Sequence, residues 1–215
     1  MVLGQIGATD KGGVCRLALT DEETRARRLL IEWAREIGLA VYTDEISNLF
    51  FRLEGSDPSA EPVVTGSHID TQPTGGKFDG AFGVVAGFEA VQAIVESGLT
   101  PTRPIEIVAW LNEEGSRFSP GMMGSEAFAG RRPLEQILAV TDADGVRTAD
   151  ALERTLAAFP DLPRRDLGFP VAAFIEAHIE QGPVLEQKGV PVGVVTGIQG
   201  SRRFRVEVKG EDGHA

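Results

Sequence analysis

Apolar residues first recur at helical spacing between positions 21 and 37, where Ala26, Leu29, Leu30, Trp33, Ala34 and Ile37 share one face. Thr20 followed by Glu23 predicts a capping box at the start, and Gly38 predicts the stop. Short strand patterns follow at 40–42 and 48–53, and a third at 62–65 runs into Gly66-Ser67-His68-Ile69-Asp70. After the glycine-rich stretch TQPTGGKFDG, the spacing predicts a helix over 83–97 with Val84, Val85, Phe88, Val91, Ile94 and Val95 facing inward. Residues 104–111 read as a strand, with Ile105, Ile107 and Ala109 alternating against Glu106 and Val108. Residues 120–170 are richer in helix and loop signals, including a helix at 149–159, and read as peripheral. A strand at 171–175 leads into EAHIEQG. After an apolar stretch at 190–198, Phe204, Val206 and Val208 alternate with Arg203, Arg205, Glu207 and Lys209, the pattern of a half-exposed strand.

Three strands therefore empty into polar clusters: GSHIDT, NEEGSRF and EAHIEQ. Open α/β sheets place their sites at the C-terminal edges of strands, so the repetition predicts one shared site in an α/β domain. The expected architecture is a sheet flanked by helices over residues 1–198. The strand opening near 199 reads as the start of a second domain, residues 199–215.

Composition narrows the chemistry. The chain has 215 residues, enough for one domain that buries roughly 70% of the surface its unfolded form exposes. Its single cysteine, Cys15, excludes an internal disulfide and a cysteine-built zinc site, so any metal must use His, Asp and Glu. Thirty-two acidic residues against 21 basic ones give a formal charge of -11, which argues against nucleic acid or an anionic membrane as partner. No apolar run approaches the ~20 residues of a membrane span, and the N-terminal residues lack a signal-peptide layout, so a cytoplasmic location is expected.

All three histidines, His68, His178 and His214, sit among carboxylates, a setting suited to metal or proton chemistry. His68 and Asp70 are two apart, so on an extended strand end they point the same way, and Asp70 could hold the histidine's second N–H. Alone, this pair reads equally well as a strand end and a turn. Asp79, between glycines, could cap the following helix, bind a cation, or both. Glu113 and Glu114 follow a strand, where neighbours point opposite ways, so one could bind metal while the other faces substrate. An isolated Glu pair is more often solvated surface. The glycine loop lacks the GK[ST] order of a P-loop.

Taken together, TGSHIDTQPTGGKFDGAFGV, WLNEEGSRFSPGMMGS, FIEAHIEQGPVLEQ and VTGIQGSRRFRVEVKGEDGHA resemble the dinuclear metal amidohydrolases of the N-carbamoyl-L-amino-acid hydrolase, β-ureidopropionase and allantoate amidohydrolase family. That family belongs to the aminoacylase and glutamate-carboxypeptidase type of metallopeptidase. The resemblance covers nearly the whole chain. It implies His68 and His178 as terminal metal ligands, Asp79 as the bridging carboxylate, Glu114 as a ligand of the second metal, Glu113 as general base and Asp70 as the group that orients His68. It also implies a further histidine ligand downstream of position 215. By the same analogy the fold is α/β with a mixed sheet flanked by helices, Gln181, Arg203 and His214 are substrate contacts, the region after 198 is an α+β lid and dimerisation domain, and the full-length protein is a homodimer. Read without the resemblance, Gln181 is a polar group at a helix start, Arg203 belongs to a solvated strand face, and His214 is an exposed terminal residue.

The implied reaction uses two divalent cations ~3.5–4 Å apart, zinc or manganese with cobalt or nickel as options, to activate a water for attack on a ureido or amide carbonyl. An N-carbamoyl-L-amino acid or N-carbamoyl-β-alanine would yield amino acid, ammonia and carbon dioxide. Allantoate hydrolysis, or aminoacylase or dipeptidase action, is the alternative on the same scaffold. The rival of another class is that residues 1–215 alone form an inactive fragment or a binding module.

Overall fold

A computed structural model describes residues 2–200, 204, 206–211 and 213. The chain divides into two compact units, Met1–Ile179 and Glu180–Ala215.

The first unit is built on five strands: β1 (Ala40–Thr43), β2 (Leu49–Leu53), β3 (Val63–His68), β4 (Ile105–Trp110) and β5 (Ala173–Ile175). Their order across the sheet is β1-β2-β4-β3-β5. The β1–β2 and β2–β4 pairs are antiparallel, while β3 pairs parallel with both β4 and β5, so the sheet is mixed as expected. Helix α1 (Asp21–Glu36) packs on β1 and β2, and α2 (Ala81–Glu96) packs on β3 and β4. Leu30, Ala34, Phe51, Val84, Phe88 and Ile107 form the core on that side. On the other face Phe50, Val64, Val108 and Trp110 pack with Phe128 and Phe169.

The cap of α1 follows the sequence with one variation. The Thr20 hydroxyl accepts the Glu23 N–H at 3.3 Å, but the Glu23 carboxylate reaches back one residue further, accepting the Leu19 N–H at 2.6 Å. Its other oxygen meets buried Arg27 at 2.9 Å.

Three expectations for the first unit need correction. Val85 and Val95 are exposed and Ile94 is only half-buried; the buried stripe of α2 is Ala81, Val84, Phe88 and Val91. At about 100° per residue, position 85 rotates off that stripe, whereas Val95 stays in line with it but lies in the last turn of the helix, beyond Val91, its last buried residue. The alternation in β4 does not separate core from solvent, because the sheet is covered on both faces. Glu106 is fully buried there, held by Arg52 at 2.8 Å and Arg165 at 2.7 Å. Residues 120–170 are not peripheral either. They supply α3 (Met123–Phe128), α4 (Leu134–Leu138) and α5 (Thr148–Ala157), whose Met123, Ile137 and Leu152 enclose Leu111 and Phe118 in a further core.

The second unit contains α6 (Val184–Lys188), whose first N–H groups at Val184 and Leu185 are accepted by the Glu180 carboxylate. The strand expected over 202–209 is not formed at its described positions, 204 and 206–209. Among the described residues, no helix is long and apolar enough to cross a membrane.

Candidate metal centre

The strand order explains why distant clusters meet. His68 is the last residue of β3 and pairs with Trp110, the last of β4, while β5 ends at Ile175 on the opposite flank of β3. Glu113 and Glu114 leave β4, and His178 leaves β5, within four residues of the same sheet edge. Asp79 arrives there from the loop entering α2. Gly80, the residue before that helix, has φ 64°, and a Cβ on it would collide with the His68 ring. A Cβ on Gly83 would strike the Ala177 carbonyl and the Ser67 side chain. Both glycines let α2 lie close against the two histidine-bearing segments.

His68, Asp79 and His178 each offer a ligand atom, all within 4.8 Å of one another. His178 Nε2 lies 3.4 Å from Asp79 Oδ1, and the two imidazole rings are 6.2 Å apart between centroids. The Asp79 side chain is thus turned toward His178, and the N-cap position of α2 itself is Gly80. His68 is buried, whereas the His178 side chain keeps 31% exposure.

Asp70 does more than the sequence predicts. The nearest partner of His68 Nδ1 is the Asp70 carbonyl oxygen at 2.9 Å, with the carboxylate at 3.5 Å. The two carboxylate oxygens accept the backbone N–H groups of Glu113 at 3.1 Å and Glu114 at 3.2 Å. One buried side chain therefore ties the strand end carrying His68 to the turn carrying both glutamates.

Glu113 Oε2 lies 3.4 Å from His68 Nε2. Glu114 points elsewhere: its Oε2 accepts the Gln72 amide at 2.5 Å, while its Oε1 is buried without a hydrogen-bond partner. Burial pushes both glutamates above the ordinary carboxylate range; His68 opposes the rise, and neighbouring carboxylates, Asp70 and Asp79 among them, add to it. For His68, burial disfavours the charge, but the bond to Asp70 and the charges of Asp70 and Glu113 prevail and lift it to about 9. Four carboxylates and two imidazoles share this site. An orphaned carboxylate oxygen, nitrogen and oxygen donors only, and such concentrated negative charge fit a divalent cation.

The expected residues His68, Asp70, Asp79, Glu113, Glu114 and His178 are thus gathered at one sheet edge. Glu114 stands outside the three-residue ligand group. Gln181, at φ 53°, belongs to the second unit, and Arg203 and His214 lie outside the described residues. Gln72 is an addition. Its amide nitrogen holds Glu114 and its amide oxygen accepts the Ser116 hydroxyl at 2.7 Å. Its place two residues past Asp70 was the available signal. Glu176 is a second addition, accepting the Ser67 hydroxyl beside His68.

Comparison with known proteins agrees with this arrangement. The sequence profile of peptidase family M20/M25/M40 matches residues 64–215, the span that carries every one of these side chains. The chain belongs to this family. Among its M20 relatives, an N-carbamoyl-L-amino acid amidohydrolase of Geobacillus stearothermophilus is 46% identical over 100% of this chain and 53% of its own length. An allantoate amidohydrolase of Escherichia coli is 38% identical over 99% of this chain and 52% of its own. The crystal structure of a hydantoinase/carbamoylase family amidase from Burkholderia ambifaria superposes with a TM-score of 0.83 at 48% identity, covering 87% of this chain and 45% of that one. The chain spans about half the length of the curated relatives it matches.

Proposed function

We propose that the protein hydrolyses a linear amide or ureido C–N bond, with an N-carbamoyl-L-amino acid or N-carbamoyl-β-alanine as substrate. The observation that carries this reading is the gathering of His68, Asp79 and His178 at one point with Glu113 poised 3.4 Å from the His68 ring. The relatives' activities support the bond class, and the 46% identity to an N-carbamoyl-L-amino acid amidohydrolase supports the substrate. The 38% identity to an allantoate amidohydrolase makes allantoate the second candidate.

In this reading His68, Asp79 and His178 would hold divalent cations, and Glu114 would add a ligand through its unpartnered Oε1. Bound zinc or manganese, or cobalt or nickel, would supply Lewis acidity that lowers the pKa of water and polarises a carbonyl. The chain's own residues manage the protons. Glu113 takes the proton of the attacking water and returns it to the leaving nitrogen; a carboxylate raised by burial is better matched to that exchange near neutral pH. Asp70 fixes the turn that presents Glu113. The liberated carbamate breaks down to ammonia and carbon dioxide, leaving the free amino acid. Gln181, Arg203 and His214 are assigned substrate contacts by family analogy, as are the homodimer and the lid beginning after residue 198. A cytoplasmic location belongs to the same reading.

The test is a hydrolysis panel of carbamoyl-α-amino acids, carbamoyl-β-alanine, allantoate and dipeptides, run with the protein and its Glu113→Gln variant. The variant should keep its metals and lose activity by about 10²-fold or more. Near-normal turnover by the metal-loaded variant would remove Glu113 from its role, and preference for dipeptides would move the protein to the peptidase branch.

A further inference from the structure

Asn48 lies at the start of β2, far in sequence from every residue assigned so far, and its side chain is fully buried. Its side-chain amide makes three hydrogen bonds, with both N–H donors used. Oδ1 accepts the Leu111 N–H at 3.0 Å; Nδ2 donates to the Gly124 carbonyl at 3.1 Å and to Asp44 Oδ2 at 2.7 Å. Leu111 and Gly124 are the two ends of the loop that carries Glu113 and Glu114.

Above them the loop closes as a short ladder. Gly124 N–H donates to the Leu111 carbonyl at 2.9 Å, Met123 N–H to that of Asn112 at 3.4 Å and Met122 N–H to that of Glu113 at 2.8 Å. At the base of this ladder, the Asn48 amide fills the place of a peptide group, accepting from one side and donating to the other. A Cβ on Gly124 would run into Asn48 Oδ1 and the Leu111 nitrogen, so the glycine makes room for this contact. Asp44 secures the amide from behind: its Oδ1 accepts the N–H groups of Ile46 at 3.1 Å and Asn48 at 2.8 Å. This leaves Oδ2 facing Nδ2 and fixes which end of the amide donates.

We propose that Asn48 is a positioning residue that sets the height and direction of the Glu113–Glu114 turn by clamping both ends of its loop, with Asp44 as its anchor. The inference rests on the proposed working roles of Glu113 and Glu114. Asp70 grips the turn from the His68 side and Asn48 grips it from below; together they leave the two glutamate backbones little freedom. Misplacement of a reacting group by about 1 Å costs on the order of 100-fold in rate.

The experiment compares Asn48→Ala with Leu30→Ala, a cavity variant in the core of α1, well below the melting point of each. Three quantities are read: kcat and KM on the best substrate, hydrogen exchange at the Leu111 amide, and the absorption spectrum of the Co2+-loaded protein. Asn48→Ala should lower kcat by about 100-fold with a much smaller change in KM, accelerate exchange at Leu111 and alter the Co2+ spectrum. Leu30→Ala should lose stability without these signatures. Should Asn48→Ala fail to fold, Asp44→Asn keeps Asn48 and weakens only its anchor; it should show the same changes with smaller size. Unchanged exchange and an unchanged Co2+ spectrum overturn the positioning role whatever the activity. If the unaltered protein hydrolyses none of the substrates, the proposed function fails, and exchange with the Co2+ spectrum still decides the role of Asn48.

Discussion

Replacing Asp70 by Asn is the most informative single perturbation of the metal-free protein. The buried carboxylate accepts two backbone N–H groups and sits 3.5 Å from His68 Nδ1. An amide of the same shape keeps one acceptor oxygen and turns an NH2 group toward the other backbone N–H. One hydrogen bond to a charged group, about 1.5–3 kcal/mol, is lost and a buried donor is left unsatisfied. Relief of repulsion among Asp70, Glu113, Glu114 and Asp79 offsets part of this, so the net loss at pH 7 should be about 2 kcal/mol. His68 supplies a second reading. Its value of about 9, against the ordinary 6.5, means that the imidazolium stabilises the metal-free fold fully below pH 6.5 and that this contribution is lost as pH rises through 9. At 1.36 kcal/mol per unit that is about 3 kcal/mol. Without the Asp70 charge, His68 should titrate closer to 6.5 and the alkaline loss of stability should flatten. With only three histidines in the chain, ring C–H signals followed by NMR can be assigned, and urea unfolding of EDTA-treated protein gives stability at each pH. A variant whose His68 still titrates near 9, with the same pH slope, would refute the electrostatic reasoning.

Other perturbations test neighbouring parts. Glu106→Ala strands two arginines that are 13% and 21% exposed, so the loss should sit near the low end of the range for broken buried pairs, about 3 kcal/mol by urea unfolding. Gly80→Ala drives a methyl group into the His68 ring; isothermal titration with Mn2+ should show metal affinity lowered at least ~10-fold, the size of loss typical when a ligand's surroundings are disturbed. Metal must displace the His68 proton, so apparent affinity should rise with pH and level off above about 9, with proton release visible as a buffer-dependent binding heat.

The architecture was legible because burial and secondary-structure period agree along most of the chain. The stripe of α1, its cap at Thr20 and the strand ends before His68, Glu113 and His178 could all be read from spacing alone. What was missed depends on pairing across the fold. Glu106 reads as the polar side of a strand until Arg52 and Arg165 are seen on it. Val85 carries the right residue type but the wrong rotation about α2, and Val95 has the right rotation but sits in the exposed last turn. Residues 120–170 have weak periodicity because their helices are short, yet they close the core beneath the site loop. At the site, residue types gave the ligand candidates, whereas the tie from Asp70 to the Glu113 and Glu114 amides, and the Asn48 clamp, run between a side chain and backbone 43 or more residues away. No pattern of side chains along a sequence encodes such bonds.

In the proposed function, His68, Asp79 and His178 hold a metal on which C–N hydrolysis depends. This dependence is tested most directly by stripping the protein with EDTA and following ammonia release from an N-carbamoyl-L-amino acid as Mn2+ or Zn2+ is returned. The expected result is no release from the stripped protein, recovery with added metal, and no recovery in an Asp79→Ala variant that remains folded. Full ammonia release by the stripped protein, or full recovery by that variant, would contradict it.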